Sequence, residues 1–249
     1  MILRKIFRSL VVIFLFGFFG CGAMILNFVI FPFIATFIKQ EKRRHTYCKV
    51  VHKTWKFFCD LMQKSNSIKI NFDSEEEIKN LKSKIIVANH PSFIDIVILI
   101  GYLPNTICVA KKELRKNFFM GNIVKSLFLI NDENKEILIQ ETTKILDEGF
   151  NIIVFPTGTR TDTNTELKLH KGASLMALHT KTDIIPINIH CDKKFLAKNQ
   201  CFCDANSQTI NYNITVNNTI TPTDYMQKNL TDIQIRNRIN NAIKEGIID

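Results

Sequence analysis

His90 and Asp95, five residues apart in the run Val87-Ala88-Asn89-His90-Pro91-Ser92-Phe93-Ile94-Asp95, are the first residues of this chain whose types and spacing suggest chemistry. On a continuous helix that spacing turns two side chains about 140° apart. Pro91 changes the geometry: the residue before a proline avoids the helical region, and Ser92 is a good helix N-cap. His90 is therefore expected in a loop, with Asp95 in the first helical turn and the two side chains facing each other. A carboxylate on one imidazole nitrogen fixes the tautomer and stabilises the imidazolium, leaving the other nitrogen to take a proton from a hydroxyl. Such a pair is a general base without its own nucleophile. His45, His52, His170, His179 and His190 have no comparable companion and read as structural.

A second constellation is Phe155-Pro156-Thr157-Gly158-Thr159-Arg160. Its glycine and threonines let backbone N–H groups approach an anionic group, and Arg160 can hold phosphate or carboxylate bidentately. The Gly-x4-Gly-Lys-Ser/Thr spacing of a nucleotide phosphate loop is absent. A third stretch, Ala110-Lys111-Lys112-Glu113-Leu114, offers a lysine that can reach the same anion. No Ser or Cys stands in a Gly-x-Ser-x-Gly elbow, which argues against an acyl-enzyme.

These residues need elements to hold them. Short apolar runs at 85–88, 106–110, 127–130, 152–155 and 184–189 read as buried strands; His90 and Lys111 follow the ends of two of them, and Phe155 closes a third. Residues 93–100, 117–125, 134–148 and 172–179 read as helices between them, with Gly149 a natural stop. One or two late strands are expected within 206–216 and a closing helix over 223–245. The alternation predicts an α/β fold, a mixed sheet flanked by helices.

Ahead of this domain lies a segment of another character. Residues 9–38 form thirty consecutive positions without a formal charge, where a membrane span needs about 20. Both flanks are basic: residues 1–56 hold ten Lys/Arg against Glu41, so nearly all of the net charge of +10 sits here. Charge that brackets an apolar segment points to anionic lipid head groups rather than to nucleic acid. Residues 1–44 are expected to form a membrane-embedded helical anchor, either a tilted span or a hairpin bent around Gly17, Gly20, Gly22 and Asn27. Residues 45–65 have the pattern of a basic amphipathic helix, and 66–249 make the catalytic domain. The seven cysteines form no Cys-x-x-Cys pair or zinc-like cluster and read as reduced thiols, with Cys201 and Cys203 in a surface loop.

Taken in order, the motifs resemble those of the glycerolipid acyltransferase family that includes the bacterial 1-acylglycerol-3-phosphate acyltransferases. Asn89 to Asp95 is similar to its His-x4-Asp motif, Lys111-Lys112-Glu113-Leu114 to the opening of its second block, and Phe155 to Arg160 to its Phe-Pro-Glu-Gly-Thr-Arg acceptor motif. Lys171-Gly172-Ala173 and Ile184-Ile185-Pro186-Ile187 resemble its closing blocks. The resemblance implies a membrane enzyme on the cytoplasmic face of the inner membrane, active in phospholipid biosynthesis. It would move a fatty acyl group from coenzyme A or acyl carrier protein to a lysophospholipid hydroxyl, with no metal or redox cofactor. It implies catalysis by His90 and Asp95, and substrate binding by Lys111, Thr157, Gly158, Thr159 and Arg160. Two positions depart from the pattern: Thr157 stands where the family has Glu, and Leu129-Ile130-Asn131-Asp132 where an Ile-Asp-Arg run often stands. These departures leave room for a different acceptor in a specialised, aryl-polyene-like lipid pathway, or for a membrane-anchored lipid-binding protein without turnover.

Overall fold

Four-residue runs such as Ile85–Ala88 and Asn151–Val154 are buried along their whole length, as strands covered on both faces must be. In the computed structural model, which describes residues 2–118, 121–131, 134–160, 168–198, 200 and 208–248, they form the centre of one seven-stranded sheet. The strands are β1 (Ile68–Phe72), β2 (Ile85–Ala88), β3 (Thr106–Lys111), β4 (Phe128–Asn131), β5 (Asn151–Val154), β6 (Ile184–Cys191) and β7 (Ile210–Val216), in the order β1-β7-β6-β2-β5-β3-β4. Every neighbouring pair is parallel except β6 and β7. The five strands expected from the apolar runs are present, and the sheet is mixed. β1 was not foreseen, because only alternate residues of Ile68–Phe72 are apolar and Lys69 and Asn71 interrupt them.

The helices are α1 (Ile2–Ile25), α2 (Phe31–Phe37), α3 (Gln40–Lys64), α4 (Glu75–Lys79), α5 (Asp95–Tyr102), α6 (Gly121–Leu127), α7 (Lys135–Asp147), α8 (Gly172–Thr180) and α9 (Asp232–Ile247). Helix α5 carries the chain from β2 to β3 and packs on α3; α7 and α8 return it from β4 to β5 and from β5 to β6, α7 packing on α8 and α8 on α9. Right-handed crossovers running in opposite directions put these two groups on opposite faces of the sheet. The adjacent strands β2 and β5 therefore send their connections to opposite sides, and a crevice opens beyond their carboxyl ends. The closing helix begins at Asp232 rather than at 223, because Thr231 and Gln234 form a capping box that fixes the start, and only a short 3-10 turn covers Pro222–Tyr225. Gly149, at φ +85°, ends α7 as expected.

The N-terminal segment is helical without a break from Leu3 to Phe37, α1 passing into α2 through a π-helical turn at Leu26–Ile30. Gly17, Gly20 and Gly22 do not bend it. The reversal comes at Ile38 and Lys39, where both residues are extended, and α3 then runs back antiparallel along it. Phe31 stacks on Tyr47, Phe19 meets Trp55 and Phe58, and Arg8 donates to the carbonyls of Asn66 and Gln208. The hairpin is thus α1–α2 against α3. Asn27 is no bend either. Its side chain is buried, accepts from the Asn122 backbone N–H at 2.8 Å and donates to the Phe118 carbonyl at 3.4 Å. The π turn frees its own carbonyl to accept from the Asn122 amide at 3.1 Å. The opposite face of α1–α2 leaves Leu3, Phe7, Leu10, Phe14, Phe28 and Phe33 exposed. The five cysteines among the described residues are free thiols, with Cys48, Cys59 and Cys108 buried; Cys201, Cys203 and Asp132 lie outside the described residues.

Candidate active site

β2 ends at Ala88, and the next residue clamps its exit. The Asn89 amide donates to the Ile189 carbonyl at 3.0 Å and accepts from the Ile189 N–H at 2.6 Å, closing the gap to β6 with a side-chain imitation of strand pairing. His90 follows in the loop, and Asp95 is the first residue of α5. His90 Nδ1 lies 2.8 Å from Asp95 Oδ2, which also accepts the Ser92 N–H at 2.7 Å. A carboxylate only accepts, so Nδ1 carries the proton and Nε2 is left as the basic nitrogen. Ser92 is not the N-cap the sequence suggested. Its hydroxyl accepts from the Ile94 N–H at 3.4 Å, and the helix begins at Asp95 behind Ile94.

Asp95 is wholly buried, and Oδ1 has no hydrogen-bond partner among the described residues. Burial pushes its carboxyl up from the ordinary value, while the His90 N–H, the Ser92 N–H and the Arg160 charge pull it back. The His90 ring stacks on Phe155, at the exit of β5, with centroids 4.2 Å apart and planes 23° apart. The imidazole is thus held at its edge by Asp95 and on its face by Phe155.

Beyond this pair lies a cavity of about 500 Å³, within the range of small-molecule sites at about 300–1,000 Å³. His90, Lys111, Thr159 and His170 supply its polar side chains. Ala110, Cys108, Leu138, Val154 and Met176, all buried, supply much of its apolar wall. Burial raises the Cys108 thiol, so this wall holds no reactive thiolate.

Of the residues singled out in the sequence, His90, Lys111, Gly158 and Thr159 border the cavity; Thr157 and Arg160 are not among its described lining residues. Thr157 is buried, and its hydroxyl donates to the Thr159 carbonyl at 2.9 Å, which tightens the turn. Gly158 takes φ +64° there. Arg160 points to the segment after β6, donating to the Leu196 carbonyl at 2.7 Å and the Ala197 carbonyl at 3.2 Å. His170 does line the cavity, contrary to its reading as a structural histidine: its backbone N–H donates to the Pro156 carbonyl at 2.7 Å, and its ring lies beside Gly158. No spacing in the sequence announces it.

The family model described as Acyltransferase matches residues 69–190, a stretch that holds both the His90–Asp95 pair and the Gly158 turn. The chain is similar to the 1-acyl-sn-glycerol-3-phosphate acyltransferase of Helicobacter pylori, 34% identical over 112 residues covering 42% of this chain and 47% of that one. It is similar also to the protein of that name from Bacillus subtilis, 35% identical over 107 residues covering 41% and 53%. The matches therefore span about half the length of these two curated relatives. In fold it is similar to the crystal structure of the 1-acyl-sn-glycerophosphate (LPA) acyltransferase, PlsC, from Thermotoga maritima, with a TM-score of 0.72, 20% identity and coverage of 98% and 97% of the two chains.

Proposed function

We propose that this chain, which the Acyltransferase family model matches over residues 69–190, transfers a fatty acyl group from a thioester to the hydroxyl of a lysophospholipid-like acceptor, 1-acylglycerol 3-phosphate by default. The observation that carries the reading is the 2.8 Å contact between His90 and a fully buried Asp95 at the wall of a cavity that is polar at His90 and Lys111 and apolar at Leu138 and Met176.

In the proposed reaction His90 Nε2 takes the proton of the acceptor hydroxyl as its oxygen attacks the thioester carbonyl. The carbon–oxygen bond forms, and the carbon–sulfur bond breaks as the tetrahedral intermediate collapses. The proton on His90 then goes to the departing thiolate. Asp95 stabilises the imidazolium between these steps. The acyl chain lies along the apolar wall. Direct transfer is favoured over an acyl-enzyme because Ser92 and Cys108 are buried, and Cys108 is held protonated. No metal takes part in these steps, and the donor is the thioester of coenzyme A or of acyl carrier protein.

The site of work is a membrane surface, the cytoplasmic face of the inner membrane. The 35-residue helix Leu3–Phe37 is long and apolar enough to cross a bilayer, but at about 52 Å it exceeds a hydrocarbon core of about 30 Å. One side packs along α3, while the other exposes Phe7, Phe14 and Phe33. We infer that residues 1–44 lie in one leaflet with that side in lipid, that 45–65 join them to the domain, and that 66–249 form the catalytic unit.

The inward turn of Thr157 favours a second reading in which the acceptor is a different lipid of a specialised pathway, since the hydroxyl is spent on Thr159 and leaves no carboxylate at that position. Membranes holding the full chain or His90→Ala, supplied with labelled thioesters and a panel of lysolipids, distinguish the cases by mass spectrometry. Product on 1-acylglycerol 3-phosphate that vanishes in the variant is expected. Product on another lipid alone moves the acceptor, and no product on any replaces transfer with lipid binding.

A further inference from the structure

Two buried polar atoms behind His90 have no hydrogen-bond partner among the described residues: Asp95 Oδ1 and the hydroxyl oxygen of Tyr212. Both residues are wholly buried. A buried tyrosine hydroxyl ordinarily finds a partner, and an orphaned donor or acceptor inside a fold is costly. The two atoms belong to one cluster. Burial pushes the Tyr212 phenol well above its ordinary range; the nearby Cys191 thiol and Asp95 carboxylate push it further, and Ser92 pulls it back. Cys191 is acted on in turn by Tyr212 and Asp95.

The sheet brings these four side chains together. Asn89 ties the exit of β2 to Ile189 of β6, and Cys191 lies two residues further on, on the same face of that strand. Antiparallel pairing sets Tyr212 of β7 directly opposite Cys191. The loop that carries His90 closes over the same strand end: the Ser92 N–H donates to Asp95 Oδ2, and the Phe93 N–H donates to the Leu196 carbonyl beyond β6. Ser92 is buried, and its hydroxyl, which accepts from the Ile94 N–H, still has a proton to give. The Cys191 thiol donates to the Lys193 carbonyl at 2.9 Å. Within the cluster, Tyr212 and Ser92 are thus the uncommitted donors and Asp95 Oδ1 the uncommitted acceptor.

We propose that Tyr212 is a positioning residue for the transfer reaction: its hydroxyl, with that of Ser92, forms a short donor chain that ends on Asp95 Oδ1 and sets how tightly the His90–Asp95 pair holds a proton. Tyr212 touches neither substrate and acts through Asp95. Hydrogen bonds at catalytic sites are often long before the substrate complex forms and tighten within it. The assignment rests on the acyltransferase reading above and deepens it. A carboxylate that loses a donor is a stronger base, so without Tyr212 the pair should keep its proton to higher pH. The other titratable or charged groups here are Arg160, which acts on Asp95, Asp192, which acts on Cys191, and Lys111 and His170, which share the cavity with His90. Tyr212→Phe leaves all of them in place.

The test is the pH profile of kcat/KM, measured on the detergent-solubilised full chain with the acceptor that the wild type acylates best. Titration of the substrates is common to wild type and variant and cancels in the comparison. The acid limb in Tyr212→Phe is expected to move up by about half a unit to one unit, the worth of one hydrogen bond. Ser92→Ala should move it the same way, and the double variant no further than the larger single shift, because the two hydroxyls form one chain. A fold defect would lower the rate at every pH and leave the midpoint in place; should Tyr212→Phe not fold, the Ser92→Ala profile decides. A midpoint that stays or falls, with transfer still abolished in His90→Ala, overturns this assignment and keeps the acyltransferase reading. A wild type that acylates no acceptor overturns both.

Discussion

The ring of His90 lies on the ring of Phe155, 4.2 Å between centroids, although the two residues leave different strands, β2 and β5. Parallel pairing of Ile85 with Ile152 and Val87 with Val154 sets that meeting, since it brings both strands to their carboxyl ends at the same level. The stack fixes the plane in which Nε2 can point. An aromatic pair contributes about 0.5–1.5 kcal/mol beyond the area it buries. Phe155→Leu should therefore lower kcat by about threefold to tenfold, with the donor KM little altered. Steady-state kinetics with the thioester varied provide the check, and an unaltered kcat would remove Phe155 from the orientation of His90.

Asp95→Asn separates charge from shape. The amide can still accept the Ser92 N–H, but it cannot stabilise an imidazolium. We expect kcat to fall at least a hundredfold. The thermal midpoint should hold or rise, because a fully buried carboxyl with an unpartnered Oδ1 has been replaced by a neutral group. Activity and melting are measured on the same preparation. A large drop in melting temperature would mean that the carboxylate holds the fold rather than the reaction.

Alkaline pH should loosen the domain in a definite window. Burial pushes the thiols of Cys48 and Cys59, on the inner face of α3, from 9.0 up to about 12. Above pH 9 the unfolded chain releases these protons and the folded chain does not, so stability present below pH 9 is lost as pH rises towards 12. Melting temperatures in detergent between pH 7 and 11 should begin to fall near 9, and less steeply in Cys48→Ala/Cys59→Ala. Parallel curves for the two proteins would assign the alkaline loss to other groups.

The outer face of α1 is testable without activity. Phe7 and Phe14 are both exposed on it, and burying such a side chain is worth about 1.5–3 kcal/mol. Phe7→Glu/Phe14→Glu should weaken partitioning onto vesicles containing one-third anionic lipid by at least tenfold in flotation assays. Equal flotation would place the membrane contact elsewhere.

The His90–Asp95 pair was legible because its determinants are local: Pro91 keeps the histidine off the helix that begins at Asp95, whichever residue caps it. The central strands were legible because their apolar runs are continuous. The hairpin was misplaced because glycines in an apolar helix resemble bends, yet Gly17, Gly20 and Gly22 all lie within the unbroken helix α1. The chain reverses instead where the apolar run ends, at Ile38 and Lys39. His170 was passed over for the opposite reason: nothing near it in sequence marks it, and its place depends on the Gly158 turn and the start of α8. The inward course of Arg160 is likewise tertiary, fixed by carbonyls 36 and 37 residues away.

The amide pair of Asn27 and Asn122 allows one alignment of α1–α2 on the domain. Sliding the helix by a single residue would rotate Asn27 by about 100° and move it about 1.5 Å, leaving its buried amide and that of Asn122 without partners. In the proposed arrangement, with the outer ridge in lipid, that interlock would work as a depth gauge. The height of His90 above the acyl chains is then a property of the polypeptide, the same in a thick bilayer as in a thin one, and it is the lipid that must adjust.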